Sequence, residues 1–175
     1  MIYPYSKVLT SFECKEIIKI SEPELLPLTV GGKTTESLHD SRKGEGTFLF
    51  NTTAPVIAKV KNLVSSLTNL PIENQEMPHI IRYPVGGEYK AHYDYFEDNW
   101  ELHKKELKRG GNRRFSCLFY LNEDFKGGET YFPYNKITVT PGIGNLLIWS
   151  NLSKGVPNQN SYHAGLPVTE GIKWA

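Results

Sequence analysis

Between residues 53 and 70, Val56, Val60, Leu63, Val64 and Leu67 fall on one face at helical spacing, which predicts an amphipathic helix. Pro55 suits its first turn, and Asn69 with Pro71 marks its exit. An earlier helix opens at Thr10-Ser11-Phe12-Glu13. This is a capping box, in which the Thr10 hydroxyl accepts from the Glu13 amide and the Glu13 carboxylate reaches back. The helix runs through Ile17, Ile18 and Ile20 and stops at Ser21-Glu22-Pro23, because the residue before proline avoids helical geometry. Residues 24–50 are mixed, with turns at Gly31-Gly32 and around Gly44 and Gly46.

Beyond residue 76 the period changes. Short strand-like runs at 79–83, 88–93, 115–121, 129–132, 136–140, 145–150 and 161–163 alternate with Gly/Pro/Asn turns. Helices followed by many short strands predict a mainly β fold with flanking helices: a barrel-like double sheet buttressed on one side. The expected organisation is one domain, 1–175, with helical support over about 1–76 and a β-rich core over about 77–175. Residues 97–114 form a polar insertion in which a short helix fits; Leu102 and Leu107 give it little to bury. In 115–121, Ser116, Leu118 and Tyr120 share one face, while Phe115, Cys117, Phe119 and Leu121 face the other way as core.

Composition narrows the class. Hydrophobic residues make up 39% of the 175 positions and charged residues 22%, ordinary values for a globular chain. The net charge of +1 gives no drive toward nucleic acid or membrane. Cys14 and Cys117 sit in apolar segments and read as buried free thiols, which suits a reducing compartment. No run approaches the roughly 18 apolar residues that span a bilayer, and the start lacks a basic segment followed by an apolar one. The expectation is a cytoplasmic protein, a monomer or weak dimer, without nucleic-acid or membrane partners.

His92 and Asp94 stand two apart, and on a strand such positions share a face. With His163 far downstream they make two imidazoles and one carboxylate, a set that holds Fe(II) while leaving coordination positions open. Lys173 would supply a cation for a dicarboxylate co-substrate. His-x-Asp alone also fits a surface turn. The same donors bind zinc, but no His-Glu-x-x-His helix is present.

Several segments carry a resemblance. Tyr83-Pro84-Val85-Gly86-Gly87-Glu88-Tyr89-Lys90-Ala91-His92-Tyr93-Asp94-Tyr95-Phe96 resembles the metal-site segment of prolyl 4-hydroxylases. Tyr120-Leu121-Asn122 followed by Gly127-Gly128-Glu129-Thr130-Tyr131-Phe132-Pro133 is similar to the same family. So is His163-Ala164-Gly165-Leu166-Pro167-Val168 through Gly171-Ile172-Lys173-Trp174. Ser41-Arg42-Lys43-Gly44-Glu45-Gly46 resembles the family's Arg-Thr/Ser-Ser-Gly loop, with Lys43 and Gly44 departing from it, and residues 8–14 resemble its helix entry.

The resemblance implies a double-stranded β-helix (jelly-roll) core, Fe(II), 2-oxoglutarate, O2 and usually L-ascorbate. It implies His92, Asp94 and His163 as iron ligands and Lys173 as partner of the distal 2-oxoglutarate carboxylate. Tyr83, Tyr120 and Thr130 would line the co-substrate pocket. Arg113 and Trp149 are candidates for the substrate side, although a solvated arginine fits equally well and a core position suits Trp149 better. The implied reaction is hydroxylation of prolyl residues in a peptide or protein, with 2-oxoglutarate converted to succinate. Alternatives are the same chemistry on another amino acid or a small metabolite, or a metal- and peptide-binding relative without turnover. His39, His79 and His103 read as surface or packing residues, and residues 104–109 as a solvated face.

Overall fold

The Thr10 capping box forms as its sequence predicts. Glu13 N donates to Thr10 Oγ1 at 3.2 Å, and Thr10 N donates to the Glu13 carboxylate at 2.8 Å. Glu13 also receives Lys59 Nζ at 2.7 Å, which ties the first helix to the second. The second helix ends at Asn69 in the left-handed conformation, φ 54°, a conformation that asparagine tolerates.

The computed structural model describes residues 1–28, 41–50, 53–98 and 101–175. The expected Gly31-Gly32 turn, His39, and Asn99-Trp100 of the polar insertion lie outside the described residues. In chain order the elements are β1 (Ile2–Tyr5), α1 (Ser11–Ser21), β2 (Leu26–Pro27), β3 (Arg42–Lys43), β4 (Glu45–Phe48), α2 (Pro55–Thr68), β5 (His79–Tyr83), β6 (Glu88–His92) and α3 (Glu101–Gly110). There follow β7 (Phe115–Phe119), β8 (Phe125–Gly127), β9 (Thr130–Phe132), β10 (Ile137–Val139), β11 (Leu146–Ser150), β12 (Leu152–Ser153), β13 (Val156–Pro157), β14 (His163–Gly165), β15 (Val168–Gly171) and β16 (Lys173–Trp174). The insertion carries the helix that its sequence allowed.

A five-stranded sheet in the order β10-β9-β14-β6-β3 faces a three-stranded sheet, β1-β11-β7. Phe132 from the first and Tyr120, Leu147 and Trp149 from the second interdigitate between them. A four-stranded sheet, β16-β5-β4-β2, takes the helices: Cys14 and Ile17 of α1 and Val56 and Ile57 of α2 share a core with Ile80, Leu121 and Trp174. This is the jelly-roll with helices on one side. The alternation in β7 holds, since Leu118 and Tyr120 enter the inter-sheet core while Phe119 and Leu121 enter the helix-side core.

Three expectations shift. Strands β1 to β4 come from residues before 76, so the amino-terminal part also supplies strands to all three larger sheets. β14 begins at His163 rather than 161, because Gln159–Ser161 winds into a 3-10 turn. Asp94 lies beyond the end of β6 rather than on it. Among the described residues, no helix is long and apolar enough to cross a membrane. Cys14 is buried, and both cysteines are free thiols.

Candidate metal and co-substrate site

β6 ends on His92, β14 starts on His163, and the two residues are direct partners in the antiparallel ladder. Their rings therefore meet at the same mouth of the inter-sheet space, with centroids 4.3 Å apart. The chain leaves β6 at His92 and brings Asp94 back against both. Asp94 Oδ1 lies 3.3 Å from His92 Nε2, and Oδ2 lies 3.6 Å from His163 Nε2. Metal–ligand bonds of about 2.1 Å place neighbouring donors of one ion about 3 Å apart, so the observed spacing suits a shared ion. Among the described residues these three form a metal-competent group, with ligand atoms all within 4.8 Å of one another.

The imidazoles are held in the form such an ion needs. His92 Nδ1 is 2.8 Å from the Lys90 carbonyl, and His163 Nδ1 is 2.8 Å from the Ser161 carbonyl. A carbonyl only accepts, so each Nδ1 carries the proton and each Nε2 presents its lone pair to the shared centre. Burial pushes the His163 imidazole below its ordinary range, although Asp94 opposes this, and the neutral ligand form is favoured. Burial would raise the Asp94 carboxyl. The two imidazoles and the Ser116 hydroxyl outweigh it and hold the group well below the usual carboxylate range. The Tyr89 ring stacks on His92 at 3.5 Å, and the Arg42 guanidinium lies 4.5 Å from the centroid of the same Tyr89 ring.

Lys173 is buried beside Tyr120, a residue of the inter-sheet core. It pairs with Tyr83 across the β16–β5 ladder and is 3% exposed. Its Nζ donates to the Gly128 carbonyl at 2.7 Å and lies 5.8 and 5.6 Å from the Tyr83 and Tyr120 ring centroids. Burial pushes its pKa down to about 8, with Glu129 opposing. Among the described residues no carboxylate forms an ion pair with it. A buried, unpaired ammonium is costly, and a ligand carboxylate would remove that cost. Tyr120 and Thr130, both fully buried, share a hydrogen bond of 2.7 Å. Thr130 pairs with Gly165 of β14, the strand that His163 begins. The structure thus brings Tyr83, Tyr120, Thr130 and Lys173 together from β5, β9, β16 and the end of β7, with Thr130 on the strand next to the one that His163 begins.

The two substrate-side candidates are placed differently. Trp149 is 4% exposed and packs on the His163 ring at 4.6 Å and edge-on to Phe132 at 5.6 Å. Arg113 sends Nε and Nη2 to the Glu76 carboxylate at 2.6 and 2.8 Å, and Nη1 to the Asp94 carbonyl at 3.2 Å. It also lies 4.4 Å over the Phe96 ring, so it braces the segment that carries Asp94. His79 stacks on Phe48 at 4.1 Å and His103 packs near Phe96 at 5.2 Å, both away from the triad. Sequence reasoning passed over Asn151 and the Gly128 carbonyl. Ser116 had been placed on the Tyr120 face, but its contact with Asp94 joins positions 22 apart in sequence, and no local pattern marks it.

The sequence profile of the 2OG-Fe(II) oxygenase superfamily matches residues 78–175, which contain the triad and Lys173. The chain belongs to this superfamily. As a 2OG-Fe(II) oxygenase it belongs to a group named for Fe(II) and 2-oxoglutarate, and the donor set and a buried lysine with no ion-pair partner among the described residues fit both. It is 34% identical to prolyl 4-hydroxylase 2 of Arabidopsis thaliana over 99% of its own length and 64% of the relative's. Prolyl 4-hydroxylase 1 of the same plant is also 34% identical, over 95% and 64%. The chain spans just under two thirds of these curated relatives. Among solved structures, the viral collagen prolyl hydroxylase of Paramecium Bursaria Chlorella virus-1, in complex with 2-oxoglutarate, superposes with a TM-score of 0.74 at 23% identity, covering 99% of this chain and 91% of that one. A Pseudomonas putida prolyl-4-hydroxylase gives 0.67 at 19% identity, covering 99% and 88%. At these identities the likeness speaks for the shared fold.

Proposed function

We propose that this oxygenase hydroxylates prolyl residues of a peptide or protein, converting 2-oxoglutarate and O2 to succinate and CO2. The reading is carried by the convergent triad of His92, Asp94 and His163 together with the buried ammonium of Lys173, which has no carboxylate ion-pair partner among the described residues and lies beside Tyr120 of the inter-sheet core. The identity with plant prolyl 4-hydroxylases over nearly the whole chain supports the choice of proline. Bound iron would supply the oxidative decarboxylation and the oxidising equivalent for the C–H bond.

The chain's own residues bind and orient. His92, Asp94 and His163 would hold the ion on one face and leave the other open. Lys173 would pair with the distal carboxylate of the co-substrate, and the hydroxyls of Tyr83, Tyr120 and Thr130 would satisfy its remaining oxygens. Phe132 and Trp149 exclude water beside His163. At the mouth, Tyr93 packs on Tyr95 and Tyr162 at 4.7 and 4.8 Å, and Tyr162 on Tyr134 at 5.6 Å. Aromatic surfaces of this kind suit extended proline-containing segments. The proposal treats 1–175 as one catalytic domain, acting as a monomer or weak dimer in a reducing, cytoplasmic setting, with L-ascorbate as reductant.

The deciding experiment is 2-oxoglutarate decarboxylation by Fe(II)-loaded protein, started with O2 and ascorbate, with and without proline-rich peptides. Succinate formation stimulated by such a peptide, with a gain of one oxygen on it, is the expected result. Turnover without peptide stimulation would overturn the choice of proline, and absence of succinate from iron-bound protein would overturn the enzyme.

A further inference from the structure

Asp94 does not stand alone in the triad. Ser116 in β7 donates its hydroxyl proton to Asp94 Oδ2 at 2.5 Å, across the space between the two sheets. A serine hydroxyl has one proton to give. With that proton on Asp94, Ser116 Oγ can only accept, and it accepts from Asn151 Nδ2 at 2.9 Å. The orientation of the Asn151 amide follows: its Nδ2 must face Ser116, so its Oδ1 must point away.

That Oδ1 is buried and has no hydrogen-bond partner among the described residues. Asn151 is completely buried, and its backbone is fixed on both sides. Its N donates to the Arg114 carbonyl and its carbonyl accepts from Asn158 N, each at 2.9 Å. Turning the amide over would set its oxygen against Ser116 Oγ, and the hydroxyl proton would be drawn from Asp94 to the amide. The fold keeps the orphaned oxygen and the chain Asn151 → Ser116 → Asp94.

Resting on the triad as the metal site, we infer that Ser116 and Asn151 are positioning residues that make Asp94 a one-oxygen ligand. The Ser116 bond occupies Oδ2 and leaves Oδ1, the oxygen 3.3 Å from His92 Nε2, for the ion. The stereochemical consequence concerns the open positions. Three protein donors on one face of a six-coordinate ion leave three positions. A chelating keto acid would take two and leave one for O2. A carboxylate free to bind through both oxygens would close that last position. Partners of metal ligands commonly change metal affinity about tenfold to a hundredfold when removed, and the Ser116 contact has the short, charge-assisted geometry of such a partner.

The test uses Co(II) as an O2-stable probe, titrated into the full chain against a competing chelator. Ser116→Ala should weaken Co(II) binding about tenfold to a hundredfold, in a metal-free protein that still unfolds in one cooperative thermal transition. Ser116→Thr, which retains the hydroxyl, should restore affinity. Asn151→Ala should weaken binding less, and in the Ser116→Ala background it should cause no further loss, because its effect passes through the same hydroxyl. At saturating Fe(II), Ser116→Ala should show a raised KM for O2 in succinate formation.

Wild-type Co(II) affinity in a folded Ser116→Ala protein would overturn the inference. So would additive losses in the double variant. Should Asn151→Ala fail to fold, Ser116→Ala and its threonine rescue decide alone. His163→Ala separates the two readings. If it too binds Co(II) normally, the triad is not the metal site. If it loses Co(II) while Ser116→Ala does not, only the positioning role fails.

Discussion

His163 stands directly opposite His92 across the β6–β14 ladder, with the two imidazole centroids 4.3 Å apart. The geometry of the centre is therefore backbone geometry. Cross-strand pairing sets the distance between two of the candidate ligands, and the short excursion after β6 adds the third.

Removing one member leaves two donors that cannot enclose an ion. His163→Ala and Asp94→Ala should each lose bound iron on dialysis and reduce succinate formation to background. Metal analysis alongside the turnover assay checks this, and full activity in either variant would refute the ligand assignment.

Lys173→Met separates binding from stability. The methionine keeps the length of the side chain and removes a buried charge that has no ion-pair partner among the described residues. The KM for 2-oxoglutarate should rise about tenfold to a hundredfold, the loss of one charge-assisted hydrogen bond. The thermal midpoint of the ligand-free protein should hold or rise, since replacing a buried charge by an apolar group is often neutral or stabilising. A lowered midpoint with unchanged KM would assign Lys173 a structural role.

The same lysine predicts two opposite pH trends. Its pKa falls from 10.5 to about 8 through burial, with Glu129 opposing, while the neighbouring Tyr120 phenol is pushed up to about 12 and stays neutral. Between pH 8 and 10.5 the unfolded chain holds a proton that the folded one has released, so this group makes stability rise with pH there. Co-substrate affinity should fall over the same interval, as the ammonium that would pair with the carboxylate is lost. Thermal midpoints and 2-oxoglutarate binding across that interval check both signs, and Lys173→Met should flatten both.

Gly128 and Gly86 form a controlled pair. Both have positive φ, 69° and 79°, so alanine at either costs roughly 1–2 kcal/mol of backbone strain. At Gly86 a new Cβ meets nothing within 4 Å, whereas at Gly128 it would lie 3.0 Å from Lys173 Cδ. Gly86→Ala should lower stability and leave the KM for 2-oxoglutarate unchanged. Gly128→Ala should lower stability and also raise the KM for 2-oxoglutarate, because it disturbs the carbonyl that holds Lys173 Nζ. Equal effects on KM would show that the Gly128 contact is dispensable.

What the sequence reveals depends on how locally each feature is encoded. The Thr10–Glu13 cap and the α2 stripe are short-range patterns and read directly. The residues of the triad and Lys173 stand out because their chemistry is unusual in combination, even though Asp94 leaves the strand that spacing alone would give it. Strands such as Arg42–Lys43 and Lys173–Trp174 have two residues, too few for any alternation to register. They exist because a distant partner supplies the hydrogen bonds. Asn151 escaped for the same reason: its significance lies in a contact with Ser116, 35 positions away.

Side chains alternate across a strand, so a slip of one residue between β6 and β14 would turn His163 to the opposite face and separate it from His92. The ladder already shifts between His163 and Gly165, and such irregularities are where alternative pairings compete. An ion gripped by both imidazoles would bind the aligned pairing alone and stabilise it by mass action. The metal would then serve as a proofreader of strand alignment during folding, before it serves as a reagent.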